Sequence, residues 1–258
     1  MPPTFGCLAA TLAGRPHSLS RLGFDVARSF HGEETIRVAA PLRVGAVLYA
    51  QQSMVLLPDV RGARGGLMRR ALRRTVLTDE SGQRIATTTR TLLEADRVLT
   101  GSQPIGDVSV FDDGLGSRID PVPHRPMPPA RLPVGTALPS GVFGALTRTD
   151  FVRYAAASGD LTAIHFDENA ARSRGYRTVF GMGMLSAAFI GHMITDWVDL
   201  VHPWELRIRF RDQVWPGDTL RIDGVVSESS TSSFGATVMC TVGERVITSA
   251  TLVMGSAA

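Results

Sequence analysis

The chain has 258 residues, of which 44% are hydrophobic and 20% charged, a composition typical of globular proteins rather than disordered chains. All 27 basic residues are arginine, because the sequence contains no lysine, so Schiff-base chemistry on a lysine is excluded. The net charge of +3 is modest for a nucleic-acid-binding protein, but it suits a substrate that carries phosphate.

The sequence contains no clear signal for secretion, membrane insertion or metal binding. Cys7 and Cys240 are too few for a disulfide framework or a metal cluster, and we expect both to be reduced core thiols. The first residues lack the basic and apolar segments of a secretory signal. The longest apolar stretch, 182–194, is shorter than the ~20 residues that a membrane span needs, and His192 interrupts it. We therefore expect a cytoplasmic protein without membrane, nucleic-acid or metal partners.

The first half of the chain is predicted to form one helix followed by strands. The helix is predicted at residues 5–13, where apolar residues predominate. Residues 79–82 have the composition of a hairpin turn. The β-type runs lie at 35–38, 47–56, 68–78 and 84–93.

Residues 101–140 are rich in Pro, Gly, Asp and Ser and show no sustained hydrophobic period. Such a composition is typical of a linker. The predicted domains are therefore an amino-terminal half, 1–100, and a carboxy-terminal half, 141–258.

The second half begins with a predicted strand at 142–146 and a helix capped by Thr147 or Thr149 and ended by Gly159. A short helix at 168–173 and a longer apolar helix, from Gly183 to about 198, follow. The remaining β-type runs lie at 206–211, 219–227, 236–242 and 245–253, with a hairpin turn at 242–244. One long apolar helix wrapped by an antiparallel sheet is the hotdog plan.

A shift of 172 residues places 33–48 on 205–220 without a gap, so that Ile36 falls on Ile208 and Gly45 on Gly217. This agreement indicates an internal duplication. We therefore predict an α+β protein with a double hotdog fold, in which two antiparallel sheets each wrap a long apolar helix and join as a pseudo-dimer. The first half lacks the strand and capped helix that open the second.

The segment 154–171 carries the clearest chemical signal. Asp160 and His165 are five residues apart, on a stretch that leaves a helix through Gly159. A carboxylate and an imidazole in this arrangement can face one small volume and act as an acid–base pair. Ile164 and Phe166 flank the histidine and are expected to shield it from water.

The same segment resembles the motif of the MaoC-like, (R)-specific enoyl-thioester hydratases, in which Ser-Gly-Asp-x-Asn-Pro-x-His-x-Asp is followed by Ala-Ala. The matching residues are Tyr154, Ala155, Ser158, Gly159, Asp160, Ile164, His165, Asp167, Ala170 and Ala171. Thr162 and Ala163 replace Asn-Pro, Met182 stands where the family often has histidine, and Gly191 falls where a family serine supports the aspartate.

The resemblance extends to both sides of this motif. Gly183, Met184 and Leu185 look like the family's Gly-Met-Leu at a helix start, and residues 209–220 look like its strand ending in Pro-Gly-Asp. In the first half, Pro2-Pro-Thr-Phe and His31-Gly-Glu are similar to the companion half of two-domain members. The resemblance therefore covers most of the chain.

The resemblance implies a hydro-lyase that interconverts (R)-3-hydroxyacyl and trans-2-enoyl thioesters of coenzyme A or a carrier protein, without a cofactor. Asp160 and His165 would be catalytic, although the sequence leaves open which is the acid and which the base. The Gly183 N–H would be the oxyanion donor. Tyr154, Ser158 and Met184 are candidate substrate contacts. The first half would enclose the acyl tail, and two chains could pair as a homodimer.

Two other functions fit the same residues. A hotdog thioesterase would use Asp160 to direct water at the carbonyl, and a non-catalytic partner subunit or carrier-binding module would keep the motif without turnover. Gly217 and Asp218 are interpreted as turn formers. Arginines 207, 209 and 211 alternate on one strand face, which fits a solvated surface or phosphate binding equally well. Structural or surface roles are predicted for His17, His31, His124, His192 and His202.

Overall fold

The structure is a computed structural model, and it describes residues 3–12, 19–62, 66–99, 101 and 132–255. Most of the predicted linker, residues 102–131, lies outside these ranges, so the assignment of a linker stays a prediction. Among the described residues, no helix has the length and apolar character required to span a membrane.

The first half forms one short helix and four antiparallel strands, close to the predicted elements. Asp79 closes the turn between the last two strands, because its Oδ1 accepts hydrogen bonds from the N–H groups of Ser81 (2.9 Å) and Gln83 (3.0 Å). The elements are α1 (Phe5–Leu12), β1 (Ser29–Val38), β2 (Tyr49–Gly62), β3 (Gly66–Thr78) and β4 (Arg84–Glu94).

The second half contains three helices and five strands. The predicted helices at 168–173 and from Gly183 are confirmed, and the four final strands lie within a few residues of their predicted positions. The elements are β5 (Ala137–Phe143), α2 (Arg148–Ser158), α3 (Glu168–Ser173), α4 (Gly183–Trp197), β6 (Trp204–Phe210), β7 (Leu220–Ser229), β8 (Ser233–Val242) and β9 (Arg245–Gly255).

Strand β5 differs from the prediction. It was expected at 142–146 but begins at Ala137, so the predicted linker end at 140 falls inside it. The strand pairs only with β7, at one edge of the sheet, and its register shifts between Leu138 and Gly141. An edge strand tolerates Pro139, which lacks an N–H group, and therefore this composition is compatible with a strand as well as a linker.

The prediction of two antiparallel sheets joined as a pseudo-dimer is confirmed only in part, because the strands form one continuous nine-stranded antiparallel sheet in the order β2-β3-β4-β1-β6-β9-β8-β7-β5. The halves are joined by the pairing of β1 with β6. In this pairing Thr35 lies opposite Arg207, and these two positions differ by the same 172 residues as the sequence shift. Hydrogen bonds between β1 and β6 therefore close two edges that would otherwise be exposed.

Helix α4 is the main apolar element packed against the second half of the sheet. Ile190, Ile194 and Trp197 are at most 1% exposed, and each buried side chain of this size contributes roughly 1.5–3 kcal/mol. The Trp197 ring lies over Gly224 of β7, where an added Cβ would come within 2.7 Å of the indole. The indole N–H donates to the Pro139 carbonyl at 2.8 Å. These contacts fix the axis of α4 and hence the position of its first residue, Gly183.

Candidate active site

A cavity of about 1310 Å³ lies between the two halves. The first half contributes residues of α1, β1, β3 and β4 to its wall, and the second half contributes the loop after α2 and the start of α4. The six residues that the sequence singles out all line it: Tyr154, Ser158, Asp160, His165, Gly183 and Met184.

Helix α2 delivers the aspartate to this cavity. Thr147 caps the helix in a capping box, in which its hydroxyl accepts from the Asp150 N–H and the Asp150 carboxylate accepts from the Thr147 N–H. At the other end Gly159 adopts φ 72°, a left-handed conformation that glycine reaches without a steric penalty. The chain therefore turns sharply at Gly159 and brings Asp160 to the cavity.

The carboxylate of Asp160 is held through one of its two oxygens. Its Oδ1 accepts hydrogen bonds from the Thr162 hydroxyl (2.7 Å) and the Thr162 N–H (3.3 Å), while Oδ2 has no hydrogen-bond partner among the described residues. The Ser158 hydroxyl accepts from the Asp160 N–H at 3.3 Å. Gly191 is buried on α4, where the Pro3 ring occupies the nearby space. Thr162 therefore holds Asp160 in this protein, whereas in the family pattern a serine on the helix has this role.

His165 is 8% exposed and is fixed by a single hydrogen bond from its Nδ1 to the Phe180 carbonyl, at 2.7 Å. A carbonyl oxygen can only accept, so Nδ1 carries the proton and Nε2 of the neutral ring keeps a free lone pair. Burial lowers the pKa of His165, although the Phe180 carbonyl and the Asp160 charge partly oppose this effect. The ring is therefore neutral at neutral pH, with one nitrogen available as a base.

The expected shielding of His165 by Phe166 is wrong, since Phe166 is 43% exposed. The short 3-10 turn Ala163–His165 ends just before Phe166 and directs it outward. Instead, the Phe180 ring lies edge-on to the imidazole with 5.0 Å between the ring centroids. Ile164 lines the cavity as expected.

Gly183 is the first residue of α4, where the backbone N–H groups point out of the helix. The preceding residue, Met182, makes no side-chain capping hydrogen bond, and the Gly183 N–H has no acceptor among the described residues. The Phe210 ring lies so close that a Cβ on residue 183 would approach it to 3.0 Å. This helix terminus is thus open to a ligand oxygen, and the helix dipole favours developing negative charge there.

Tyr154 and Met184 complete the second-half side of the cavity. Burial raises the pKa of the Tyr154 phenol, so it stays protonated and can only donate or accept as a neutral hydroxyl. Arg209 and Arg211 also line the cavity, and the Arg209 side chain is 63% exposed. These two arginines therefore lie where the cavity meets solvent.

The prediction that His31 has only a structural or surface role is incomplete, because it lines the cavity and packs on Phe210 with 4.6 Å between ring centroids. Its Nε2 lies 3.1 Å from Glu34 Oε2, to which Arg90 Nε also donates at 2.7 Å. Burial opposes ionisation of Glu34, but Arg90 and His31 outweigh it and lower the pKa of Glu34 to about 2. The first half therefore adds a buried ionic cluster, His31, Glu34 and Arg90, to the cavity wall.

One of the residues that the motif missed has a local sequence signal. An aspartate followed two residues later by a threonine is typical of a turn in which the carboxylate accepts from the later N–H, and this would have identified Thr162. The carbonyl of Phe180 and the cluster of the first half carry no such local signal.

Asp218 lies outside this cavity, as the turn interpretation predicts. Its carboxylate accepts from the Trp215 N–H at 2.8 Å and from Arg245 at 2.9 Å, and Gly217 has φ 88°. Within the described residues, no group of three or more His, Cys, Asp or Glu side chains is arranged to hold a metal ion.

Two protein-family models match parts of this chain. The model of the MaoC like domain matches residues 134–250, which contain all six residues named from the motif. The model of the FAS1-like dehydratase domain region matches residues 1–88. Residues 134–250 are thus similar to MaoC-like domains, and residues 1–88 are similar to the dehydratase region of FAS1-like proteins. No curated protein sequence matches it at a significant level.

Solved structures of MaoC-like dehydratases share the fold. One described as a MaoC-like dehydratase has a TM-score of 0.72 at 21% identity, over 99% of this chain and 84% of that chain. HtdX from Mycobacterium tuberculosis has a TM-score of 0.60 at 20% identity, over 98% of this chain and 85% of that chain. A MaoC-like dehydratase from Phytophthora capsici has a TM-score of 0.60 at 17% identity, over 94% and 72%. The protein thus has the hotdog-like MaoC fold.

Proposed function

We propose that this protein catalyses the reversible addition of water to trans-2-enoyl thioesters, giving (R)-3-hydroxyacyl thioesters. The observation that carries the proposal is the meeting of three groups in one cavity: a carboxylate with a free oxygen, a neutral imidazole with a free Nε2, and an uncapped helix start. These groups supply the base and the oxyanion donor that the reaction requires.

In the proposed mechanism, the Gly183 N–H donates to the thioester carbonyl and stabilises negative charge on this oxygen as the enolate forms. A water molecule lies between Asp160 and His165 and donates one hydrogen bond to the carboxylate. His165 Nε2 accepts the other proton of this water while its oxygen bonds to the β-carbon. The imidazolium then returns the proton to the α-carbon, which regenerates the thioester and the neutral histidine.

The first half would enclose the acyl tail, and we propose that it is a second hotdog unit that has kept the architecture without the acid–base pair. Its α1, β1, β3 and β4 line the same cavity as the loop of the second half. The register of β1 with β6, centred on Thr35 and Arg207, supports a duplicated pair of units. The carrier of the thioester, coenzyme A or a carrier protein, would lie near Arg209 and Arg211, whose positive charges suit phosphate groups.

The proposal is tested by following the ultraviolet absorbance of crotonyl and longer trans-2-enoyl thioesters with the wild type, Asp160→Asn and His165→Ala. We expect each variant to lose at least ~100-fold in kcat, the usual scale of a general acid or base. His192 and Asp196 provide a matched control, since they form a His–Asp pair at 3.4 Å on α4, with both side chains partly exposed to solvent and outside the cavity. His192→Ala and Asp196→Asn should keep wild-type rates.

Three results would contradict the proposal. Equal rates in the wild type and both cavity variants would remove Asp160 and His165 from the chemistry. Release of free thiol by the wild type, without a change in the enoyl absorbance, would show thioester hydrolysis instead. A stable protein that binds enoyl thioesters but turns over none would correspond to a non-catalytic carrier-binding module.

A further inference from the structure

Arg73 occupies an unusual position in the first half of the sheet. It lies on β3 directly opposite Arg90 of β4, which in turn lies opposite Glu34 of β1. The three side chains thus form a row across three strands, and all of them line the cavity. Two like charges directly opposite each other on neighbouring strands repel and lower the stability of the sheet. Stability therefore does not explain why two guanidinium groups and one carboxylate lie in one row.

Glu34 does not neutralise both arginines. Its Oε2 accepts from Arg90, and His31 approaches the same oxygen, whereas Arg73 has no hydrogen bond or ion pair with any described residue. Cys7 does not supply the missing charge, because burial and Glu34 raise the pKa of its thiol well above the ordinary value. Burial and Arg90 lower the pKa of Arg73 to about 10, which leaves the guanidinium charged at neutral pH. The cavity wall therefore carries an unpaired positive charge.

The next pair along the same face of the same strands is also polar. Thr75 lies opposite Thr88, both line the cavity, and they are 2% and 4% exposed. Neither hydroxyl has a hydrogen-bond partner within the parts of the chain that the structure describes. A purely alkyl tail against this wall would leave a guanidinium and two hydroxyls unpaired, which costs free energy. A carboxylate there would pair with the guanidinium and accept from the hydroxyls.

Arg73 lies further from the reacting groups than Arg90 does. Arg90 is close enough to Asp160 for the carboxylate to act on its pKa, and Arg73 is one strand further out, a spacing of about 4.8 Å. Both ends belong to one continuous cavity. A thioester held at Gly183 and passing Asp160 would thus reach Arg90 before Arg73. Arg73 therefore faces the far end of the acyl tail.

We propose that Arg73, together with Thr75 and Thr88, binds a carboxylate at the far end of the acyl tail, so that the preferred substrates are half-thioesters of dicarboxylic acids. This inference rests on the proposed function, because it concerns the substrate class of the same site. Charge-assisted hydrogen bonds from a guanidinium to a carboxylate are stronger than neutral ones, and they give directional recognition.

The test compares trans-2-enoyl-CoA substrates of graded length, from crotonyl to decenoyl, with counterparts of equal length that end in a carboxylate. For the best-fitting length, we expect the wild type to favour the carboxylate by at least ~10-fold in kcat/KM, the effect of a hydrogen bond to a charged group. In Arg73→Gln this ratio should fall to about 1. Arg74→Gln is the matched control, because Arg74 is the exposed neighbour on β3 and does not line the cavity.

The outcomes separate this inference from the proposed function. A wild-type preference for methyl-terminated tails at every length, or an unchanged ratio in Arg73→Gln, overturns the inference even if hydration is observed. If no enoyl thioester is turned over, the proposed function fails, and titration calorimetry with the saturated acyl-CoA and its carboxylate-terminated counterpart decides the inference. Binding at least ~10-fold tighter for the carboxylate in the wild type, but not in Arg73→Gln, supports it, and equal affinities overturn it. If Arg73→Gln fails to fold, the selectivity of the wild type alone decides the inference.

Discussion

The two halves of the cavity hold their charged side chains in different ways. In the second half, Asp160 and His165 lie on a loop, and each is fixed through one atom, Oδ1 or Nδ1, which leaves the other atom facing the cavity. In the first half, Glu34 lies on a central strand, is 1% exposed, and shares one oxygen between Arg90 and His31.

This difference bears on what each group can do. A side chain held at one atom is oriented, yet it keeps a lone pair for a substrate or water. A buried carboxylate that already has two cationic or polar partners gains little from a ligand, and its removal leaves an uncompensated buried charge. We therefore expect changes at Glu34 to act mainly on the free energy of unfolding, and changes around Asp160 and His165 to act mainly on kcat.

The largest effect is expected for Glu34→Gln. The amide keeps the shape but removes the charge, so Arg73 and Arg90 are left facing each other without a carboxylate. We expect a loss of about 3 kcal/mol in the free energy of unfolding at neutral pH, measured by urea denaturation. Glu33→Gln is the control, because the Glu33 side chain is 50% exposed and its pairing with Arg209 should be worth less than about 1 kcal/mol.

The same variant should also change the response to acid. The pKa of Glu34 is lowered to about 2, so the unfolded chain takes up this proton first as the pH falls. The stabilisation from this carboxylate is complete above the pKa of an ordinary glutamate, about 4.3, and is lost as the pH falls towards 2. Glu34→Gln should therefore show a flatter loss of stability across this interval, and identical slopes in both proteins would contradict the role assigned to the ionic cluster.

A smaller effect is expected for Thr162→Val, which removes the hydroxyl that holds Asp160 and keeps the shape of the side chain. Because a hydrogen bond to a charged group contributes about 1.5 kcal/mol or more, kcat should fall by about tenfold. Thr162 is exposed, so the unfolding free energy should change little. Thr162→Ser retains the donor and should restore most of the rate. A stability loss without a loss in kcat would reverse the proposed distinction between the halves.

The smallest expected effect is a displacement of the pH profile. His165 must be neutral to act as the base, and burial lowers its pKa, so protonation and the loss of activity should begin at a lower pH than for an ordinary histidine. The acidic limb of kcat/KM, measured against pH, should therefore lie below about 6.5. His31→Gln should leave this limb in place, since His31 belongs to the other cluster. A limb above the ordinary histidine value would contradict the assignment of the base.

The strands and the loop that brings Asp160 and His165 to the cavity were predictable because both depend on short-range patterns. Alternating apolar residues located the strands, and the spacing of Asp160 and His165 after Gly159 indicated a shared cavity. The capping of α2 by Thr147 and the start of α4 at Gly183 also follow from local residue preferences. Each of these features is set by residues that are close together in the chain.

The remaining features depend on contacts between distant strands. Arg73, Arg90 and Glu34 form a row only through the register of three strands, and no spacing along the chain reveals it. The continuity of the sheet likewise depends on the pairing of β1 with β6. The start of strand β5 was placed too late for a different reason, since an edge strand accepts the proline and glycine that otherwise indicate a loop.

The pairing of Thr35 with Arg207 has a consequence for how the cavity could become asymmetric. If the two halves are a duplicated pair of units, as proposed, these residues lie on their local two-fold axis, where an assembly of identical chains would have to place the same amino acid twice. In an assembly of identical chains, every substitution near the axis would occur on both sides of the cavity. A residue suited to proton transfer would then also lie where the acyl tail must fit. A single polypeptide is free of that constraint, so one wall can specialise in handling protons while the opposite wall selects the tail.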